Sequence, residues 1–213
     1  MFTEEALWIK SVLDEVAIDS ATKILDVGAS DIEYRTSTQP HINENIHKPL
    51  LEKGATFSFL DIKDHEGVDI VMDLAAKDLP DDLFKVTYDL IICCNILEHI
   101  VERNVFMQNL LRFTHPGTLL MVTVPLVYPK HNDPIDTMFR PTVRELVNFI
   151  GSYVKYKIIK SNEIEITEKA YYVFKPGRIL DYLLLRSPRW LIRWYIKPLR
   201  WKQTCVLLEV LKG

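Results

Sequence analysis

The fold of this chain is decided by a short apolar stretch that ends in a glycine, KILDVGASD, at residues 23–31. Its first part, Lys23–Val27, has the length and apolar content of a buried strand. Gly28 and two further small residues follow. A glycine there lets the chain turn tightly and lets backbone N–H groups approach a ligand with no Cβ in the way. The stretch therefore predicts a buried strand that ends in a ligand-binding turn.

Further strands and helices alternate along the chain on either side of this stretch. Apolar residues that are continuous or that alternate with polar ones form patterns of strand length at 56–60, 68–72, 88–94, 118–124, Tyr156–Ile166 and 204–211. Helical spacing occurs at 4–16, 42–52, 96–113 and 143–150. This alternation predicts an α/β protein with a mainly parallel sheet. The alternation stops after Ile166. Residues 167–202 are predicted to form an insertion between the last two strands, which would make a terminal hairpin. We predict that residues 1–213 form one domain.

Two helix starts are predicted from capping boxes. Asn95 with Glu98, and Thr142 with Glu145, each place a capping residue three positions before a carboxylate. Gly151 is expected to end the second of these helices. Because capping explains Glu98, we assign it no catalytic role.

Composition excludes several classes of protein. The chain has 213 residues, of which 48% are hydrophobic, and a formal charge of −3, so collagen-like, linker-like and disordered chains are excluded. No apolar run is long enough to span a membrane, and the acidic start is unlike a secretory signal. Three cysteines make no disulfide framework, which favours a reducing, cytoplasmic location. The six histidines lack zinc-site spacing, so we expect no metal.

The charges around the first turn distinguish between two classes of nucleotide ligand. Asp26, Asp31 and Glu33 outnumber Arg35, so the turn would repel a pyrophosphate and attract a cationic sulfonium and ammonium. Ser30 and Glu33 also stand where a dinucleotide-binding turn has its second and third glycines. Binding of NAD is therefore disfavoured.

From residue 24 to residue 149 the chain resembles the class I S-adenosylmethionine-dependent methyltransferases, in the subgroup often associated with sugar, polysaccharide or lipid-like substrates. The resemblance rests on five features in order along the chain. They are the first-strand motif 24–30, Asp61 closing the second strand, Asp73-Leu74 after the third, NILEH at 95–99 after the fourth, and HPGTLL at 115–120 leading into a fifth strand that Pro125 closes. The resemblance implies a Rossmann-like sheet of seven strands, mostly parallel with an antiparallel last strand, and helices on both faces.

The resemblance also implies S-adenosyl-L-methionine as the cofactor and assigns residues to it. Asp61, followed by Ile62, would hold the ribose hydroxyls, and Asp73 with Leu74 would lie at the adenine. Gly28 and Ala29, with Asp26 and Ser30 in the same stretch, would surround the methionine portion. Cys94 and Asn95 would line the inner wall. The alternative for Asp61 and Asp73 is that each merely caps a local turn.

The acceptor that the resemblance implies is a hydroxyl of a sugar or lipid-linked glycan. A histidine is a suitable base for a hydroxyl near neutral pH, and the candidates are His99 and His131. The polar, proline-rich stretch at 128–136 follows the fifth strand. It is either an acceptor-binding loop or a rigid surface connection.

The insertion carries a concentrated positive charge. Residues 178–202 hold seven basic residues and one acid, a net charge of +6, so the rest of the chain carries −9. Residues 188–197 are expected to form a helix with Arg189, Arg193 and Lys197 on one stripe and aromatic and aliphatic residues around the rest. Such a helix would pack on an anionic membrane surface, on a partner subunit in an oligomer, or on its own domain. Nucleic acid is not expected as a partner.

The sequence therefore supports two hypotheses about function. The first is an S-adenosylmethionine-dependent methyltransferase of polysaccharide biosynthesis that acts at the inner membrane surface as a peripheral protein. The second is a catalytically silent methyltransferase-like domain that docks to a membrane or a partner.

Overall fold

The structure is a computed structural model that describes residues 1–131, 135–167 and 200–212. Its strands are β1 (Lys23–Val27), β2 (Thr56–Asp61), β3 (Ile70–Val71), β4 (Leu90–Cys94), β5 (Leu119–Val127), β6 (Tyr156–Ile166) and β7 (Trp201–Val210). Its helices are α1 (Thr3–Leu13), α2 (Pro40–Ile42), α3 (Lys48–Glu52), α4 (Arg103–Leu111) and α5 (Val143–Gly151). All seven predicted strands are confirmed.

The strands form one sheet in the order β3-β2-β1-β4-β5-β7-β6. The pairings from β3 to β5 are parallel, and β7 pairs antiparallel with both β5 and β6. This is the predicted Rossmann-like sheet with an antiparallel last strand. The strand order reverses direction between β1 and β4, and in such sheets the carboxyl edge at this switch point is where ligands bind.

Helices cover both faces of the sheet. Because the side chains of a strand alternate between the two faces, neighbouring strand residues belong to different cores. Leu25 and Ile91 belong to a core shared with α4 and α5. Ile24 and Ile92 belong to a second core shared with α1 and α3. The central strands are apolar on both sides, as a sheet buried on both faces requires.

The connection between β1 and β2 is helical but irregular. Two π-helical turns, Tyr34–Thr38 and Asn43–His47, alternate with the short helices α2 and α3. The predicted helix at 42–52 is therefore present as the last part of a longer run of turns. None of the helices in the described ranges is long and apolar enough to span a membrane.

The capping box at Thr142 is confirmed, whereas the one at Asn95 was a wrong prediction. The Thr142 hydroxyl accepts from the Glu145 N–H, and the Glu145 carboxylate accepts from the Thr142 N–H at 2.8 Å. Asn95 instead has a left-handed backbone with φ of +57°. A short 3₁₀ turn, Leu97–His99, follows it, and α4 begins only at Arg103.

Helix α5 ends at Gly151 as predicted, and packing explains why this residue is a glycine. Gly151 has no left-handed backbone, and a Cβ there would lie 2.6 Å from Cε1 of Tyr156. The predicted insertion has its ends at β6 and β7, and residues 168–199, which include the predicted basic helix, lie outside the described residues.

Candidate active site

The turn after β1 is shaped by Gly28. Its φ is +70°, a left-handed conformation that favours glycine. A Cβ on Gly28 would lie only 2.0 Å from Cδ1 of Ile96. The N–H groups of Gly28 and Ala29 both donate to the carbonyl of Leu60, at 2.8 and 3.1 Å. The turn is thus fixed between the ends of β1, β2 and β4, where a side chain at position 28 would not fit.

Asp61, the last residue of β2, lies beside this turn. Its Oδ2 accepts from the Ser30 N–H at 2.9 Å, and its Oδ1 accepts from the Lys63 N–H at 3.0 Å. Each carboxylate oxygen retains further acceptor capacity, since a carboxylate offers about four lone-pair sites. Ile62 next to it is 61% exposed. The pair therefore offers a fixed carboxylate acceptor for hydroxyl groups and an exposed apolar side chain, a combination that suits a nucleoside.

Asp26 is engaged by a histidine that sequence reasoning missed. Nε2 of His47 lies 2.8 Å from Oδ2 of Asp26, and both side chains are nearly buried. The His47 ring also packs edge-on against Phe57 and Phe59. A carboxylate inside an apolar strand requires a polar partner, which is the signal that could have predicted one.

Arg35 binds the backbone of the turn after β1. Its guanidinium donates to the backbone carbonyls of Ser30 at 3.0 Å and Gly67 at 2.8 Å, and lies 3.9 Å from the centre of the Phe59 ring. Burial lowers the pKa of Arg35, although nearby carboxylates, of which Asp26 contributes most, oppose that effect. The acids of the turn thus have a local counter-charge whose hydrogen bonds go to the backbone.

Asp73 and Leu74 occupy a turn just beyond β3. The exposed Asp73 carboxylate accepts from the Ala75 N–H at 2.8 Å, which is a local turn-capping contact. The Leu74 side chain is buried in the core, and its carbonyl accepts from Asn109 at 3.0 Å. The backbone here is well fixed, and the assignment of these residues to adenine stays a prediction.

Asn95, after β4, belongs to a buried polar cluster. Its amide donates to Glu5 at 2.7 Å and accepts from Gln203 at 2.9 Å, while Thr123 also donates to the Glu5 carboxylate. Glu5 is completely buried. Because these contacts occupy the Asn95 side chain, it cannot cap a helix. Glu5 and Gln203 come from opposite ends of the chain, so no local pattern could have predicted this cluster.

Cys94 and Glu98 flank this cluster as buried titratable groups. Burial raises the pKa of the Cys94 thiol well above its usual range, so it is neutral at physiological pH. Burial also raises the pKa of Glu98 to about 8. Oε2 of Glu98 has no hydrogen-bond partner among the described residues.

The structure brings the two candidate bases, His99 and His131, next to each other. Their rings lie perpendicular with centroids 5.1 Å apart. Nδ1 of His99 lies 2.5 Å from the carbonyl of Ile135, and because a carbonyl only accepts, this nitrogen carries the proton. The His131 ring also contacts Tyr128, whose ring packs against Trp201 at the start of β7.

The predicted site residues thus fall into two groups at the carboxyl edge of the sheet. The first comprises the turn after β1 and the residues that end β2, β3 and β4. The second is the histidine pair with its aromatic neighbours. Ile96 links them, since it packs on Gly28 and lies just before the 3₁₀ turn that carries His99.

Comparison with known proteins identifies the fold. No protein-family model matches the sequence, and no curated protein matches it. Among solved structures, the cyclase SpnF superposes with a TM-score of 0.58 at 12% identity, over 97% of this chain and 81% of its own. Coclaurine N-methyltransferase, bound to N-methylheliamine and S-adenosylhomocysteine, gives 0.57 at 12% identity, over 97% and 70% of the two chains.

A third similar structure is an O-methyltransferase from a polyketide synthase multienzyme of Brevibacillus brevis, in complex with S-adenosylhomocysteine. It gives a TM-score of 0.54 at 14% identity, over 98% of this chain and 71% of its own. At these identities the likeness establishes the fold alone. That fold supports a cyclase as well as methyltransferases, so function must be argued from the site.

Proposed function

We propose that this chain is an S-adenosylmethionine-dependent methyltransferase that acts on a hydroxyl group of a sugar or lipid-linked glycan. The observation that carries the proposal is the Asp61 carboxylate, which the Ser30 N–H holds beside the Gly28 turn at the switch point of the sheet. The cofactor supplies an activated methyl group when bound. The likeness to N- and O-methyltransferase structures supports the proposal of methyl transfer.

The residues that would hold the cofactor lie along the adjoining strand ends. Asp61 would accept from the ribose hydroxyls, Ile62 would pack on the nucleoside, and Asp73 with Leu74 would lie at the adenine. Gly28, Ala29 and Ser30 would pass close to the methionine portion, with Asp26 behind them and Cys94 and Asn95 along the inner wall. The net acidity of the turn favours a cationic ligand.

Transfer of a methyl group to a hydroxyl depends mainly on alignment and on excluding water. The protein's further task is to accept the hydroxyl proton. His99 and His131, which lie side by side beyond β4 and β5, are the residues we assign to that task.

Titration calorimetry with S-adenosylhomocysteine tests the proposal. We expect measurable binding, and Asp61→Ala should weaken it about ten- to hundredfold, because a hydrogen bond to a charged acceptor contributes about 1.5–3 kcal/mol. Asp89→Ala is the matched control: Asp89 also accepts a backbone N–H at a strand end, that of Lys23, but at the opposite edge of the sheet. Absence of heat with the unmodified chain would refute the assignment.

The second candidate function is a catalytically silent docking module. It is favoured by the engagement of Asp26 with His47 and by the single glycine in the turn. In that case no S-adenosylhomocysteine binding is expected.

Membrane attachment is a separate part of the proposal and rests on the basic residues of the insertion. Sedimentation with anionic vesicles should be lost when Arg189, Arg193 and Lys197 are replaced by glutamine, and should weaken with added salt. If the unmodified chain stays in the supernatant at low salt, this part of the proposal fails.

A further inference from the structure

The His131 ring lies against a buried carboxylate, that of Asp136, which ends the stretch 128–136 and for which the sequence predicted no role of its own. Nδ1 of His131 is 3.1 Å from Oδ2 of Asp136, and the His131 backbone N–H donates to the same oxygen at 3.1 Å. The ring is not aligned for a hydrogen bond, and Nδ1 has no hydrogen-bond partner within the described part of the chain. Catalytic contacts in a ligand-free enzyme are often loose in this way.

Asp136 is held in place by its surroundings. Nη2 of Arg140 lies 2.5 Å from its Oδ2, and the Met138 N–H donates to its Oδ1 at 2.8 Å. Burial alone would raise the pKa of Asp136. The N–H groups of Met138 and His131, together with the Arg140 guanidinium, outweigh burial and lower that pKa to about 2. A fixed negative charge therefore lies beside the imidazole.

The segment that carries Asp136 is attached to the turn that carries His99. The Thr137 N–H and hydroxyl both donate to the Glu98 carbonyl, at 2.9 and 2.8 Å. Arg103 donates to the Thr137 hydroxyl at 2.9 Å. These contacts fix Asp136 relative to the histidine pair.

The two histidines differ in the charge that faces them. Nε2 of His99 lies 3.8 Å from Oε1 of Glu98, whose raised pKa of about 8 keeps it largely uncharged at neutral pH. His131 faces an ionised carboxylate. A base becomes a cation when it takes up a proton, and only a carboxylate anion stabilises that cation strongly. His131 is therefore the better placed base.

We propose that Asp136 is a positioning residue that orients His131 and stabilises its imidazolium form while His131 accepts the proton of the acceptor hydroxyl. This inference rests on the proposed function and selects one of its two candidate bases. Since Nδ1 faces Asp136, Nε2 is the nitrogen that takes the proton.

The proton and electrons balance in this step. The hydroxyl proton passes to Nε2 as the hydroxyl oxygen forms its bond to the methyl carbon. The bond from that carbon to the sulfonium sulfur breaks, and both its electrons stay on sulfur. The imidazolium then returns its proton to water.

The pKa of His131 must leave the ring unprotonated before the reaction. Burial lowers this pKa, Asp136 raises it, and His99 and Arg140 lower it, while the Pro129 carbonyl raises it. Among the described residues, the Tyr128 ring also contacts the imidazole. The balance is a pKa below the usual value, so the ring is mainly neutral at neutral pH.

The test is an NMR titration of the full chain labelled with ¹⁵N-histidine. Asp136→Asn should lower the pKa of His131 by about one unit, because it removes an adjacent anion. Arg140→Met should raise it, because it removes an adjacent cation. Shifts of opposite sign cannot both come from loss of structure. Asp89→Asn, which removes a carboxylate beside a different histidine, His115, is the matched control and should leave the pKa of His131 unchanged.

Two results would overturn the inference. One is an unchanged His131 pKa in both variants. The other is an unmodified chain whose neutral His131 carries its proton on Nε2, since Nδ1 would then not face Asp136 as a donor. If Asp136→Asn unfolds, the inference is decided by which ring nitrogen of neutral His131 carries the proton in the unmodified chain, read from its ¹⁵N shifts.

The titration needs neither cofactor nor acceptor, so it is separable from the proposed function. If the unmodified chain does not bind S-adenosylhomocysteine, the proposed methyltransferase function is refuted, whatever pKa shifts His131 shows. Normal binding in Asp136→Asn with an unshifted His131 would refute only the positioning role.

Discussion

At the scale of single residues, the environment decides the role of each acid more than its place in the sequence. Asp26 is the last residue but one of β1 and Asp61 is the last residue of β2, and both were predicted to contact the cofactor. Asp61 lies against backbone N–H groups beside the turn, whereas Asp26 pairs with His47. The position of Asp61 at the end of β2 was predictable from the strand pattern. The partner of Asp26 was not, because His47 comes from an irregular helical segment.

Glu98 carries a prediction about pH and stability. Its pKa is about 8 in the folded chain and near 4.5 when exposed, so the folded state keeps a proton that the unfolded state has lost between these values. This contribution to stability is complete below pH 4.5 and is lost as the pH rises to about 8, by up to about 1.4 kcal/mol per pH unit. Glu98→Gln should flatten the free energy of unfolding, measured with urea, across this window.

The control for Glu98 is the same change at exposed Glu145. Hydrogen bonds from Thr142 lower the pKa of Glu145, so its titration lies below the window. Glu145→Gln should therefore leave the slope between pH 4.5 and 8 unchanged. An equal slope in the unmodified chain and in Glu98→Gln would contradict the raised pKa of Glu98.

At the scale of elements, strands were easier to predict than helices. Each strand was marked by a continuous or an alternating apolar pattern of strand length, and β6 was predicted residue for residue. The predicted helix at 96–113 instead divides into a 3₁₀ turn and α4. Local spacing could not show this, because the left-handed Asn95 and its contacts with Glu5 and Gln203 prevent a helix from starting there.

Helix α5 shows what a correctly predicted cap contributes. Thr142→Ala removes the hydroxyl that accepts from the Glu145 N–H, and we expect the free energy of unfolding to fall by about 1 kcal/mol. Thr142→Ser keeps that hydroxyl and should stay within a few tenths of the unmodified chain. Equal losses in the two variants, measured by urea unfolding, would show that the cap is not the cause.

At the scale of the whole molecule, the sheet order sets which parts open first. Strands β1, β4 and β5 are paired on both sides and buried between two cores, whereas β3 is short and β6 is an exposed edge strand. Amide hydrogen exchange should therefore be slowest in β1 and β4, by at least about a hundredfold relative to β6. Exchange in β6 as slow as in β4 would mean that the sheet opens only as a unit.

The arrangement of the site was predictable only in part at this scale. Parallel strands bring their carboxyl ends to one edge, which was enough to place Gly28, Asp61 and Asn95 together. The histidine pair with Asp136 and Arg140 depends on how the segment after β5 folds back onto the turn after β4. No local pattern in either segment specifies that contact.

One feature of the hairpin bears on what replacing its insertion would change. Because β6 runs in the same direction as β5 and β7 returns against it, Ile166 and Trp201 both lie at the rim that carries the histidine pair. The stretch between them is therefore joined to the sheet at two paired positions of that rim. If the proposed cofactor site at Gly28 and Asp61 is right, replacing this stretch should leave the binding of S-adenosylhomocysteine unchanged, because that site lies on β1 and β2 and not on the hairpin.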